Sequence, residues 1–188
     1  MTAVGLSVPK ELRASGMIPL DNFPLPVEAQ YNYRSGFTKR HRGVDIFAPK
    51  GTPIVAVETG RACSAIEPKG GRVVYLIGVS GWHYFYGHLS AWELPVTRGP
   101  ETDGGPRGVV VTAGEKLGKV GNSGNAKGTP SHVHFQARKT KTPVDPYDAL
   151  REVDPHVGPP GRRRVSEAHN IKGGLAIAAL LLWWASTQ

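Results

Sequence analysis

The segment Thr129-Pro-Ser-His132-Val-His134-Phe135-Gln136 sets two imidazoles one residue apart. In a strand, side chains alternate between faces, so His132 and His134 would point the same way while Val133 points into a core. Two imidazoles facing one site can hold a metal ion, carry protons, or divide those roles. Taken alone the pair also fits ordinary surface or core histidines, because a stringent metal site needs three or four ligands. The pair therefore acquires meaning only from companions elsewhere in the chain.

Three such companions are present. His41 and Asp45 stand four apart in His41-Arg-Gly43-Val-Asp45, with Gly43 expected to permit a local bend. A histidine nitrogen and a carboxylate oxygen from one strand edge are reasonable zinc ligands, although the same spacing also describes a surface ion pair. One histidine of the later strand would complete a set of two imidazoles and one carboxylate, leaving the fourth position of a catalytic zinc open to water. His88 ends the aromatic run Tyr84-Phe-Tyr-Gly-His88 and could reach the same site.

The elements that must position these residues are strands. The chain has 188 residues, enough for one domain with a real core, and its 24 glycines and 16 prolines disfavour long helices. Short β-like runs cover 61–66, 72–79 and 82–88, separated by Gly70-Gly71 and Ser80-Gly81 as hairpin turns would separate them. Residues 39–57 read as strand, tight turn, strand, and 142–150 close the domain with a turn and one short helical turn. The expectation is an all-β, antiparallel domain over residues 31–150, with an extended arm over 1–30, a Pro/Gly/Arg-rich linker over 151–170 and a hydrophobic helical segment over 171–188. The stretch from Ala91 to Gly108 reads as one long polar loop.

Composition narrows the function classes. The formal charge of +8 suits an anionic partner. Nucleic acid is not expected, since the basic residues are dispersed or lie in the linker without interleaved stacking aromatics. The single cysteine, Cys63, excludes an internal disulfide and a cysteine-rich zinc knuckle, and its apolar neighbours predict a small buried residue.

The ordered motifs His41-Arg-Gly-Val-Asp45-Ile, Ala48-Pro-Lys-Gly-Thr-Pro53, Tyr86-Gly-His88-Leu-Ser90, Gly118-Lys-Val-Gly-Asn-Ser-Gly124, Ser131-His132-Val-His134-Phe135 and Pro143-Val-Asp-Pro146 together resemble the lysostaphin-type zinc endopeptidases. The resemblance implies a groove floored by an antiparallel sheet (duplicated hybrid motif-like) and Zn2+ as cofactor. It makes His41, Asp45 and His134 the zinc ligands, with His88 and His132 as non-ligand catalytic histidines. It implies the peptide part of bacterial peptidoglycan as substrate. Family members that have lost ligands act as binding or activator modules, and this chain keeps the full set. Gln136 stands where many members carry glutamate, a difference expected to matter little. His83, His156 and His169 match no family motif and read as ordinary.

Residues 173–185 are almost wholly apolar, end in Trp183-Trp184 and follow the basic run Arg162-Arg-Arg164. This predicts membrane association through the C-terminal segment, or docking on a partner such as a virion structural protein, although about twenty apolar residues are needed for a relaxed span. Lys10, Glu11 and Arg13 interrupt any apolar run near the N-terminus, so no secretory signal peptide is expected. A wall-cutting enzyme without an export signal points to a phage lysin carried in the virion or held at the cell envelope.

Overall fold

The computed structural model describes residues 18–34, 36–94 and 108–157. Eleven strands account for most of the regular structure: β1 (Asn32–Tyr33), β2 (Val44–Phe47), β3 (Pro53–Val55), β4 (Gly60–Glu67), β5 (Gly71–Gly78), β6 (His83–Leu89), β7 (Ala91–Trp92), β8 (Val109–Val111), β9 (Lys116–Lys119), β10 (His132–Arg138) and β11 (Pro143–Val144). One helix, α1 (Tyr147–Val153), follows them, with Asp148 in its first turn and Arg151 in its last, as the helix dipole favours.

The strands form two antiparallel sheets. The larger runs β1-β2-β10-β6-β5-β4-β8, with β11 added to β10, and the smaller runs β3-β9-β7. The alternation of apolar and polar residues decides which face each strand buries. On β10, Val133, Phe135 and Ala137 are fully buried, while Gln136 and Arg138 on the other parity are half-exposed. Ile54 of β3 and Leu117 of β9 join one core cluster with Val44, Ile46, Leu76, Tyr86 and Phe135, so the small sheet covers one face of the large one. Burying a side chain such as Phe135 contributes about 2–3 kcal/mol. The opposite face of the large sheet is left to line a groove.

Two buried acids pin the flanking segments. The Glu58 side chain is fully buried under the β5–β6 turn, where it accepts hydrogen bonds from the Ser80 backbone N–H (2.7 Å) and the Ser80 hydroxyl (2.8 Å). The Tyr84 hydroxyl lies 2.8 Å from Glu58 Oε2 and 2.9 Å from the Pro19 carbonyl. A phenol has one proton, so it donates to Pro19 most favourably when Glu58 is itself protonated. Burial pushes the Glu58 carboxyl above its ordinary value, against the three hydrogen bonds that favour the anion. Asp154, beyond α1, accepts from the Tyr31 hydroxyl at 2.7 Å and the Tyr33 hydroxyl at 2.9 Å, tying the first strand to the end of the helix.

Several expectations change in detail. The described part of the expected arm, 18–30, carries no strand or helix, yet Phe23 and Leu25 enter the core. Strands β2 and β3 do not pair with each other; they belong to different sheets, because the turn between them turns the chain from one layer to the other. Ala91 and Trp92 form β7 and pair with β9, so the expected loop begins later, and residues 95–107 lie outside the described residues. Cys63 is buried and free. The expected linker beyond 157 and the hydrophobic helix over 171–188 lie outside the described residues, among which no helix is long and apolar enough to cross a membrane.

Candidate metal centre and groove

Asp45 of β2 and His134 of β10 are direct cross-strand partners, and His134 on its other side faces Gly87 of β6. The register brings Asp45 Oδ1 to 2.7 Å from His134 Nδ1. His41 arrives from a tight turn before β2. The Thr38 N–H donates to the His41 carbonyl at 2.7 Å, and the His41 N–H donates to Thr38 Oγ1 at 2.9 Å. Its Nε2 then lies 3.1 Å from Asp45 Oδ1 and 3.1 Å from His134 Nδ1.

These three atoms form a triangle with the dimensions of one face of a small tetrahedron. Zinc bonds of about 2.0–2.1 Å require ligand-to-ligand edges of about 3.3 Å. The tautomer of His41 is set locally, because Nδ1 donates to the Gly36 carbonyl at 2.9 Å and thereby leaves Nε2 as a lone pair. A lone pair directed at a carboxylate oxygen and a second imidazole nitrogen calls for a cation between them. Two imidazoles and one carboxylate suit zinc, whereas calcium and magnesium prefer all-oxygen shells. The donor set therefore fits Zn2+. Burial works against ionisation of Asp45, but the hydrogen bond to His134 and the charges of His134, His41 and His132 outweigh it and hold the carboxyl down at about 2.

His88 and His132 stand beside this triangle. Their ring centroids are 4.9 Å apart, and His88 is 6.0 Å from the His134 ring. Both have Nδ1 tied to a backbone carbonyl, His88 to Ser123 at 2.9 Å and His132 to Pro130 at 2.8 Å. A carbonyl only accepts, so each Nδ1 carries the proton and each Nε2 is free to take one. Burial pushes the His88 imidazole below its ordinary value; the Ser123 carbonyl opposes this and the His132 and His134 charges add to it. His88 is also the one described non-glycine residue with a left-handed backbone, at φ 66°. Such a conformation costs on the order of 1–2 kcal/mol and concentrates at functional sites.

All five expected residues thus line one groove of about 670 Å³ on the open face of the large sheet. Three further residues belong to it. Gly43 is needed for space and not for a bend: a Cβ there would sit 2.6 Å from the Phe135 carbonyl oxygen and 2.7 Å from His134 Nε2. Gln136, expected to matter little, has its side-chain amide 2.8 Å from His134 Nε2. Were Nδ1 to hold an ion, Nε2 would carry the proton, and a half-turn of the amide would present its oxygen as acceptor. His83, read as ordinary, lines the far part of the groove, whereas His156 packs on Tyr31 away from it and His169 lies outside the described residues. The alternation on β10 could have flagged Gln136 at the sequence level. Only the pairing with β6 reveals His83.

A β-sheet groove with a two-histidine, one-carboxylate metal centre and two adjoining histidines defines a metallopeptidase-type site. The sequence profile of peptidase family M23 matches residues 39–146, and the chain belongs to that family. It is 32% identical over 166 residues to the L-Ala--D-Glu endopeptidase of Bacillus subtilis, covering 76% of this chain and 47% of that protein. It is 34% identical over 120 residues to lysostaphin of Staphylococcus simulans, covering 60% of this chain and 22% of that one. The crystallised catalytic domain of that lysostaphin superimposes with a TM-score of 0.51 at 28% identity, covering 65% of this chain and 92% of the domain. The chain spans less than half the length of these two full-length relatives.

Proposed function

We propose that this protein is a zinc-dependent endopeptidase that hydrolyses peptide bonds of bacterial peptidoglycan. The observation that carries the reading is the donor triangle of His41, Asp45 and His134, closed at 2.7 to 3.1 Å, with two tautomer-fixed histidines beside it in an open groove. In this reading His41 Nε2, Asp45 Oδ1 and His134 Nδ1 hold the ion. Zinc there supplies Lewis acidity, activating water near neutral pH. His88 and His132 would do the proton work through Nε2: one, neutral, takes a proton from the attacking water, and the other, entering the reaction as an imidazolium with Nε2–H, stabilises the developing oxyanion and passes that proton to the leaving amine. The Ser123 and Pro130 carbonyls keep both rings in the required tautomer and orientation. The intact donor set argues against a catalytically silent activator module.

We further propose delivery as a phage lysin, associated with the virion or held at the envelope through the apolar segment over 171–188. The composition of that segment and the basic run before it support this. Detection of the protein in purified particles tests it, and recovery only as a processed host secretion overturns it.

Digestion of defined muropeptides, with the products weighed, tests the activity. Cleavage is expected to stop with a chelator, return with zinc and be absent in His134→Ala. A folded, zinc-loaded protein inert on every wall chemotype refutes the reading.

A further inference from the structure

Beyond the metal centre, β10 continues along the groove floor. Its period of two puts His132, His134, Gln136 and Arg138 on one face, and the groove is lined by all four. The register extends this into cross-strand rows. Gln136 is opposite Phe85, which is opposite Tyr75; Arg138 is opposite His83, which is opposite Ile77. At about 3.3 Å per residue, Arg138 lies about 13 Å from His134 along the strand. From the donor set toward β11 the floor therefore passes through an aromatic stretch, with Phe85 and Tyr75 edge to face at 5.4 Å, to a distal row headed by Arg138.

Cations outnumber carboxylates around the groove, which Arg40, Arg42 and Lys69 line as well as Arg138, but Arg138 is the cation carried on the β10 floor itself. Besides Asp45, the one carboxylate among the described residues lining the groove is Glu67, which accepts the Tyr75 hydroxyl. Arg138 makes no ion pair among the described residues. A guanidinium offers a planar fork of donors that matches a carboxylate with two parallel hydrogen bonds. Its neighbour across the strand, His83, places a second nitrogen-bearing ring in the same row.

We propose that Arg138, with His83 beside it, forms a carboxylate subsite at the distal end of the groove. The groove then takes extended peptides bearing a free carboxylate about four residues from the bond to be cut, since about 13 Å corresponds to four extended residues. The placement of the cut bond rests on the endopeptidase reading above. The binding of the carboxylate does not, and the two are separable by experiment.

The test is equilibrium binding of two synthetic wall stem peptides, one with a C-terminal carboxylate and one with the carboxamide, to the zinc-loaded full chain. The acid is expected to bind on the order of ten-fold more tightly, the scale of a charge-assisted hydrogen bond in a half-exposed site. Arg138→Gln is expected to abolish that preference and Arg138→Lys to keep part of it, with zinc content unchanged in both. Equal binding of the two peptides, no binding of the acid, or a preference that survives Arg138→Gln overturns the subsite. A preference that behaves as expected in a protein that cuts no wall peptide upholds the subsite and refutes the endopeptidase reading.

Discussion

Asp45 and His134 face each other across the β2–β10 pair, with Oδ1 and Nδ1 2.7 Å apart. Two of the three proposed ligand atoms are thus positioned by backbone hydrogen bonding between strands, and the third, from His41, is brought in by a turn. Asp45→Asn keeps the shape of the side chain and removes its charge. It is expected to lower zinc affinity by more than about a hundred-fold, since outer partners alone cost ten- to a hundred-fold. Zinc content after dialysis against a weak chelator measures it. An Asn variant that retains one zinc per chain refutes the ligand assignment.

Gln136 separates orientation of a ligand from ligation itself. Gln136→Leu removes the acceptor for the His134 Nε2 proton and is expected to weaken zinc binding about ten- to a hundred-fold, while Gln136→Glu restores or strengthens it. Competition with a chromophoric chelator reads the difference. Equal affinities for the wild type and the Leu variant would leave Gln136 without a role.

The left-handed backbone of His88 sets stability against activity. His88→Gly and His88→Ala both remove the imidazole, and both are expected to lose about a hundred-fold or more in kcat. The two differ in strain: the Gly variant is expected to be more stable than the Ala variant by about 1 kcal/mol. Urea unfolding of the pair decides this, and an Ala variant as stable as the Gly variant contradicts it.

The pH dependence of the metal-free protein has two opposed contributions. Asp45 is held below its ordinary value, so its contribution to stability is present above about pH 4 and is lost as pH falls toward about 2. Glu58 is raised, so the fold binds its proton more tightly than the unfolded chain does. Its contribution is complete at low pH and declines as pH rises past 4.5. Glu58→Gln mimics the protonated acid: its amide can donate to the Ser80 and Tyr84 oxygens while its carbonyl accepts from the Ser80 N–H. It is expected to raise the melting temperature by about 2–4 °C at pH 8, with the gain vanishing near pH 4. A Gln variant less stable than wild type at pH 8 contradicts the buried-acid account.

The acidic limb of the pH–rate profile is set by whichever free imidazole must be neutral. Burial depresses His88, so if His88 is the base that limb lies below pH 6.5. A limb at or above 6.5 in the zinc-loaded enzyme assigns the base to another group.

Much of the site was legible because its members sit in short motifs whose residue types are chemically demanding. His132 and His134 declared a shared face through their spacing, and His41 and Asp45 declared a second donor pair. The β4, β5 and β6 hairpins were legible from apolar runs punctuated by glycine. Assignments that depend on strand pairing were not. Strand β3 looks like the return strand of β2, and only burial of Ile54 against the other layer sends it to the small sheet. Gly43 reads as a flexible point, yet its constraint is the ring of His134, 91 residues later. His83 carries no motif and gains its position from lying opposite Arg138.

The two kinds of ligand support have unequal mechanical strength. His134 sits on a strand hydrogen-bonded on both sides, whereas the His41 side chain, 37% exposed against 12% for His134, hangs from a turn closed mainly by Thr38 and Gly36. An ion held there is therefore expected to be released first at the turn-borne imidazole of His41, the more exposed of the two histidines, while the sheet stays shut. Stiffening the short turn over residues 36–41 is then expected to slow loss of the ion to a chelator without altering the groove floor formed by the large sheet.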